Sequence, residues 1–199
     1  MTTKRSRLTQ KVRNGTVTAI KGTGDIVEAT VDCVSSTLAT AIKDTGKVGA
    51  ALMEAIGDTA SGAIRGATHL GADVGQAAKG IVIGVLHGTR HAGPQAIDTI
   101  AHTAGVVIRH TAGVGGELGH AAKGLVEGAI HAARDLGVSA EDAAAAAAHG
   151  ALKAAEKVGS SALESVRRAM TRSISGVKIV LKEPWKEKKV SNKEGRLGK

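Results

Sequence analysis

Read at every eleventh position from Ile20, the chain gives Ile20, Val31, Ile42, Met53, Ile64, Gly75, Leu86, Ile97, Ile108, Gly119, Ile130, Glu141, Leu152, Leu163 and Ile174, twelve of the fifteen large and apolar. The column one residue further along runs from Lys21 and Asp32 to Glu164 and Ser175 and holds no apolar residue. Eleven residues close three turns at about 3.67 per turn, near the 3.6 of an α-helix, so an apolar stripe with this period stays on one helix face. The pattern predicts amphipathic helices with a greasy strip on one side and the charge on the other.

A longer period lies over the first. Gly49, Gly71, Gly93, Gly115, Gly137 and Gly159 are spaced 22 apart, Pro94 follows Gly93, and Asp73, Glu117, Ser139 and Ser161 stand two residues after four of them. Glycine past a helix end, then proline or a capping residue opening the next helix, is the usual punctuation between helices. Ser139 with Asp142 has the spacing of a capping box, with Asp in place of the usual Glu. Each 22-residue unit is therefore expected to be one helix of roughly 18–20 residues, about 30 Å long. Units also resemble each other in pairs: Gly75–Gly93 and Gly119–Gly137 are identical at ten of nineteen positions. A repeat of fixed period decides the architecture before any local feature does. The expected fold is all-α, a tandem of glycine-punctuated amphipathic helices, extended or folded back into an elongated array. The expected division is a disordered basic arm at 1–15, the helical repeat at 16–175 and a disordered basic tail at 176–199. Between Thr16 and Val48 the abundance of Thr, Val and Ser also suits strand.

Composition sharpens this picture. There is no Phe or Tyr and a single Trp, so any core must be built from Ala, Val, Ile and Leu. Glycine supplies 27 of 199 residues, 23 of them from Gly22 to Gly159. Each glycine inside a helix costs roughly 0.5–1 kcal/mol relative to alanine. A lone helix carrying that burden does not hold in water, so its apolar face must be covered by neighbouring helices, by another copy or by lipid. The stripe expected to meet that cover is Ile42, Met53, Ile64, Leu86, Ile97, Ile108, Ile130, Leu152 and Leu163. Lys79, Arg90, Lys123 and Arg134 flank it as cations, and Gly49, Gly71, Gly93, Pro94, Gly115, Gly137 and Gly159 are the helix breaks.

Charge is unevenly placed. Residues 1–21 carry +6, residues 167–199 carry +8 and the stretch between them −5, for a total of +9. Basic ends suit anionic partners. Trp185, between Pro184 and Lys186 in the basic tail, is a candidate interface anchor. All eight histidines fall between His69 and His149, seven of them in one sector of the polar face. His87 and His91 are one helical turn apart, a spacing open to a metal, but no Cys or carboxylate joins them at a recognised motif spacing. The single Cys33 excludes an intramolecular disulfide. No nucleophile has an evident base partner, and no phosphate-binding loop or zinc signature is present. The expectation is a protein without catalytic residues, metal, cofactor or small-molecule substrate.

Eleven-residue repeats paired into 22-residue units with Gly or Pro punctuation resemble the exchangeable apolipoproteins. The AAKG rhythm at Lys79 and Lys123 is also similar to the repeats of synucleins, perilipins and late-embryogenesis-abundant proteins, with granule-coating phasins a looser analogue. The resemblance implies conditional helices that coat lipid or granule surfaces, and a cytoplasmic, peripherally associated protein. The alternative from the residues alone is a self-associating scaffold of packed helices, a homo-oligomer in which small Gly and Ala let backbones approach. A nucleic-acid compactor working through its basic arms is a third reading, disfavoured by the acidic middle and the missing stacking aromatics.

Overall fold

The computed structural model describes residues 2–23, 25–45, 49–90, 96–171 and 174–177. These residues form eight helices: α1 (Thr2–Thr23), α2 (Ile26–Thr45), α3 (Ala50–His69), α4 (Val74–Thr89), α5 (Ala96–Gly113), α6 (Leu118–Leu136), α7 (Ala140–Val158) and α8 (Ser160–Met170). Among the described residues the only pairing of extended type is an isolated bridge between Ile174 and Val177. The Thr-rich segment is helical over 16–23 and 26–45; burial of Thr16, Ala29, Thr30, Val34 and Leu38 against neighbouring helices decides what propensity left open.

The 22-residue punctuation marks the helix boundaries. Gly49, Gly71, Gly115, Gly137 and Gly159 all have positive φ, from 57° to 147°. At Gly71 the amide of Ala72 reaches back to the Ala67 carbonyl at 2.9 Å, and at Gly137 the amide of Val138 reaches the Ala133 carbonyl at 2.9 Å. Both are six-to-one closures that satisfy orphan carbonyls at a helix C-terminus, and they require a left-handed residue at the glycine. The next helix is then started by a cap. The Asp73 carboxylate accepts from the Gln76 amide at 2.7 Å, and the Ser139 hydroxyl accepts from the Asp142 amide at 3.2 Å. Gly93 and Pro94 lie outside the described residues.

The helices pack mainly on their second neighbours in sequence. α1, α3, α5 and α7 form one row, and α2, α4, α6 and α8 form the other. Successive helices cross from one row to the other, and the core lies between the rows. Within a row, neighbours run parallel: Val12 and Thr16 of α1 meet Gly62 and Gly66 of α3, and Thr30, Val34 and Leu38 of α2 meet Gly80, Gly84 and Gly88 of α4. The most alike segments of the sequence, 75–93 and 119–137, are thus row neighbours, α4 and α6.

The glycines of the repeat explain how closely these helices approach. A Cβ on Gly80 or Gly88 would stand 2.8 Å from the carbonyl oxygen of Val27 or Ser35, and one on Gly128 2.6 Å from that of Lys79. At Gly124 it would collide with the Gly75 backbone, and at Gly150 with Ala101. Backbone lies on backbone at these seams, which favours dispersion contacts and Cα–H to carbonyl contacts. The helix-weakening residue sits where its missing side chain is needed.

One sequence expectation changes here. Residues 2–15 are the leading turns of α1 rather than a disordered arm, because Val12 is buried in the core and the Thr9 and Arg13 carbonyls lie against Gly62 and Gly66. A basic sequence is no obstacle when Arg7 and Lys11 point outward. The tail expected at 176–199 lies outside the described residues beyond Val177, and Trp185 with it.

Replacing Gly124 by alanine is expected to cost 3 kcal/mol or more, because a methyl there overlaps immovable backbone; overpacking alone costs about 1–3 kcal/mol. Replacing Gly113, where an added Cβ meets nothing within 4 Å, is expected to be neutral or stabilising by roughly 0.5 kcal/mol. Urea unfolding followed by circular dichroism separates the two; equal effects would remove close packing as the reason for the glycines.

Candidate interaction surface

The apolar stripe faces inward. Ile64, Leu86, Ile108 and Ile130 are fully buried, and Ile42, Met53, Ile97 and Leu152 are half-buried and packed on the same core. Leu163 on α8 is half-buried. The column one residue along faces out: from Asp32 to Ser175 every described member is exposed except His87, which is half-buried. Among the described residues Val158 is the exposed large hydrophobic. What the molecule offers to partners is therefore its polar surface.

The best organised part of that surface runs along α4 and α6, held in register by Gly124 and Gly128. Three groups of polar side chains span the seam, one a lysine–carboxylate group and two histidine–carboxylate contacts that become ion pairs only when the imidazole is protonated. At one end His120 Nδ1 lies 3.9 Å from Asp73 Oδ2 and 3.7 Å from Glu117 Oε2. In the middle Lys79 Nζ and Lys123 Nζ lie 4.0 and 3.7 Å from the two carboxylate oxygens of Glu127. At the other end His87 Nε2 and His131 Nε2 lie 3.4 and 4.0 Å from Asp135 Oδ2. Each group joins one side chain of α4 or its N-cap to α6 and adds a second contact to a residue of α6 or its N-cap three or four positions away. Lys79 and Lys123, two of the four expected flanking cations, are thus brought to one carboxylate. Arg90 stands exposed just past the end of α4, and Arg134 is exposed on α6.

Spread over exposed side chains, such pairs contribute about 0–1 kcal/mol each and chiefly set register. The carboxylates Glu127 and Asp135 were not singled out from the sequence. Their signal is an offset of 48 from Lys79 and His87, the 44-residue repeat plus about one helical turn.

The remaining histidines go elsewhere. His102 and His110 lie between α5 and α3, where His102 Nε2 is 3.1 Å from the Met53 carbonyl and His110 Nδ1 is 3.3 Å from Ser61 Oγ. His69 and His149 are exposed, and His91 lies outside the described residues. The tertiary structure therefore divides the single histidine sector between the two rows. Among the described residues no three metal-ligating side chains are placed to hold an ion together. Cys33 is half-buried, its thiol 3.7 Å from the Val12 carbonyl.

An open cleft of about 780 Å³ separates the α5–α6 turn from the α7–α8 turn, lined by Glu117, Leu118, Ser160, Ser161, Ser165 and Arg168 among others. Two of its lining side chains have partners: Ser165 donates to the Ser161 carbonyl at 3.0 Å, and Arg168 pairs with Glu164 at 2.8 Å. No histidine or cysteine lines it to act as a base or nucleophile. No helix among the described residues is long and apolar enough to cross a membrane. No protein-family model matches the chain, and no curated protein does.

Exchanging Glu127 for glutamine leaves Lys79 and Lys123 facing each other without a counter-charge. The expected loss is below about 1 kcal/mol, and it shrinks in 1 M NaCl as the repulsion is screened. Urea midpoints at low and high salt check this; a loss unaffected by salt would assign Glu127 a packing role instead.

Proposed function

We propose that this chain is a non-enzymatic helical scaffold, folded in water by its own two rows of helices and acting through its charged exterior. The carrying observation is the inward orientation of the apolar stripe. Ile64, Leu86, Ile108 and Ile130 meet other helices of the same chain, so the cover that the glycine-rich helices need is supplied internally. Coating a lipid surface with the same stripe would require the two rows to separate and the core between them to open.

The polar outer edge of α2 supports an array closed within one chain. The positions in α2 that correspond, one 44-residue repeat earlier, to Gly80 and Gly84 of α4 are Ser36 and Thr40, and both are exposed. A terminal unit with a polar outer face closes a repeat array and keeps it soluble. Among the described residues the exposed large hydrophobic is Val158, which fits the same reading.

Circular dichroism and light scattering test it. The expected result is full helix content in dilute buffer, a mass of one 20.0 kDa chain and no gain in helix on adding anionic vesicles. A chain that is mostly unfolded in buffer and gains helix only on vesicles would overturn the proposal in favour of the lipid coat. A higher mass that dissociates with loss of helix would show that the cover comes from other copies.

A further inference from the structure

The seams within each row are ladders in which positions four residues apart on one helix meet positions four apart on its parallel neighbour. In the seams α1–α3, α2–α4, α4–α6 and α5–α7 the ladder carries glycines that admit the facing backbone: Gly62 and Gly66, Gly80, Gly84 and Gly88, Gly124 and Gly128, and Gly150. Among the seams that join the long helices α1 to α7, the α3–α5 seam is built differently; the short terminal α8 also meets α6 without close approach, a Cβ on Gly119 lying 3.6 Å from the Ser165 carbonyl oxygen. The α3–α5 ladder sets Met53, Gly57 and Ser61 against His102, Val106 and His110. A Cβ added to Gly57 would lie 3.9 Å from Val106 Cγ2, an ordinary contact with room to spare. Two imidazoles hold the helices apart here. The Met53 carbonyl can only accept, so His102 Nε2 carries the proton and donates.

The two helices that border this seam carry six of the nine buried polar side chains among the described residues. Asp58, Thr59, Ser61, Thr99, Thr103 and Thr111 are buried on them, and the Thr59 hydroxyl has no hydrogen-bond partner. Water can replace an imidazole–carbonyl hydrogen bond with little net loss, whereas it restores nothing to a dry seam of backbone on backbone. The even row passes through α2, α4 and α6 by two glycine seams without interruption, and α4 touches both α3 and α5 from across the core.

We infer that the array bends at one place: the α3–α5 seam opens and closes while α4, tied into the even row, serves as the pivot. Opening exposes His102, His110 and Ser61 along a polar groove and leaves the glycine seams intact. The device goes beyond the scaffold reading and does not depend on it, since a hinge of this kind would serve any partner that enters a polar groove.

Distances between spin labels test it in the full chain with Cys33→Ser. One label pair replaces Lys11 on α1 and Lys153 on α7 and spans the odd row; the other replaces Asp32 on α2 and Arg134 on α6 and spans the even row. All four positions are exposed. The distance distribution across the odd row is expected to be about twice as wide as that across the even row, as for a locally less stable boundary. Replacing both His102 and His110 by alanine should widen the odd-row distribution further and leave the even-row distribution unchanged, which also reports that the variant is folded. Equal widths in the two rows, a wider even row, or an odd-row distribution indifferent to the double replacement would each overturn the hinge. Broadening of both rows together would equally overturn it, because the histidines would then support the whole fold rather than one seam.

Discussion

Close approach of parallel helix backbones is the constraint on which this structure depends. Two helices can bring carbonyl oxygens against Cα atoms only where one of them lacks a side chain, and the chain places glycine at four-residue intervals on the helix faces that need it. Val27, Val31 and Ser35 of α2 present their carbonyls to Gly80, Gly84 and Gly88 in succession. Because side chains four apart share a helix face, one such seam fixes the register of two helices along their whole overlap. The ionic groups on the α4–α6 surface follow from that register: once Gly124 sits on Gly75, Lys79 must meet Glu127 and His87 must meet Asp135.

The same constraint settles how a glycine-rich composition yields a helical protein. Glycine weakens an isolated helix because it gains freedom on unfolding and buries nothing. In the seams, the space that each missing Cβ leaves is filled by the neighbouring backbone, and the helices on either side bring Val12, Val34 and Leu38 into contact. Alanine, which needs little more room, fills the space between the rows along α6 and α7, where Ala121, Ala122, Ala129, Ala143, Ala147 and Ala151 are fully buried.

For function, the consequence is an exchange of surfaces. A stripe of Ile and Leu on a lone amphipathic helix is a lipid-facing feature; the same stripe facing another row is a core. What remains outside is a mixed-charge exterior with ordered ionic groups on α4 and α6 and two imidazoles set into the α3–α5 seam. A scaffold that presents rigid charged faces, with one seam softer than the rest, is the reading these surfaces support.

Much of the architecture was legible in the residues themselves. An eleven-residue period can only be an amphipathic helix running nearly straight, and glycines 22 apart, with Asp73 or Ser139 two residues on, mark helix ends because only glycine takes the left-handed turn cheaply. The stripe of Ile64, Leu86 and Ile108 was legible as a face needing cover, since burial of apolar area is a property of the pattern alone. The nature of the cover was not, because neighbouring helices and lipid satisfy the same stripe equally well and periodicity carries no information on what lies opposite. Nor was the role of the glycines inside the helices, which reads as a loss until a second backbone is seen filling each gap. The partners of Lys79 and His87 and the division of the histidines between the rows came only with the fold. They depend on the offset between parallel neighbours some 48 residues apart, a quantity set by packing in three dimensions.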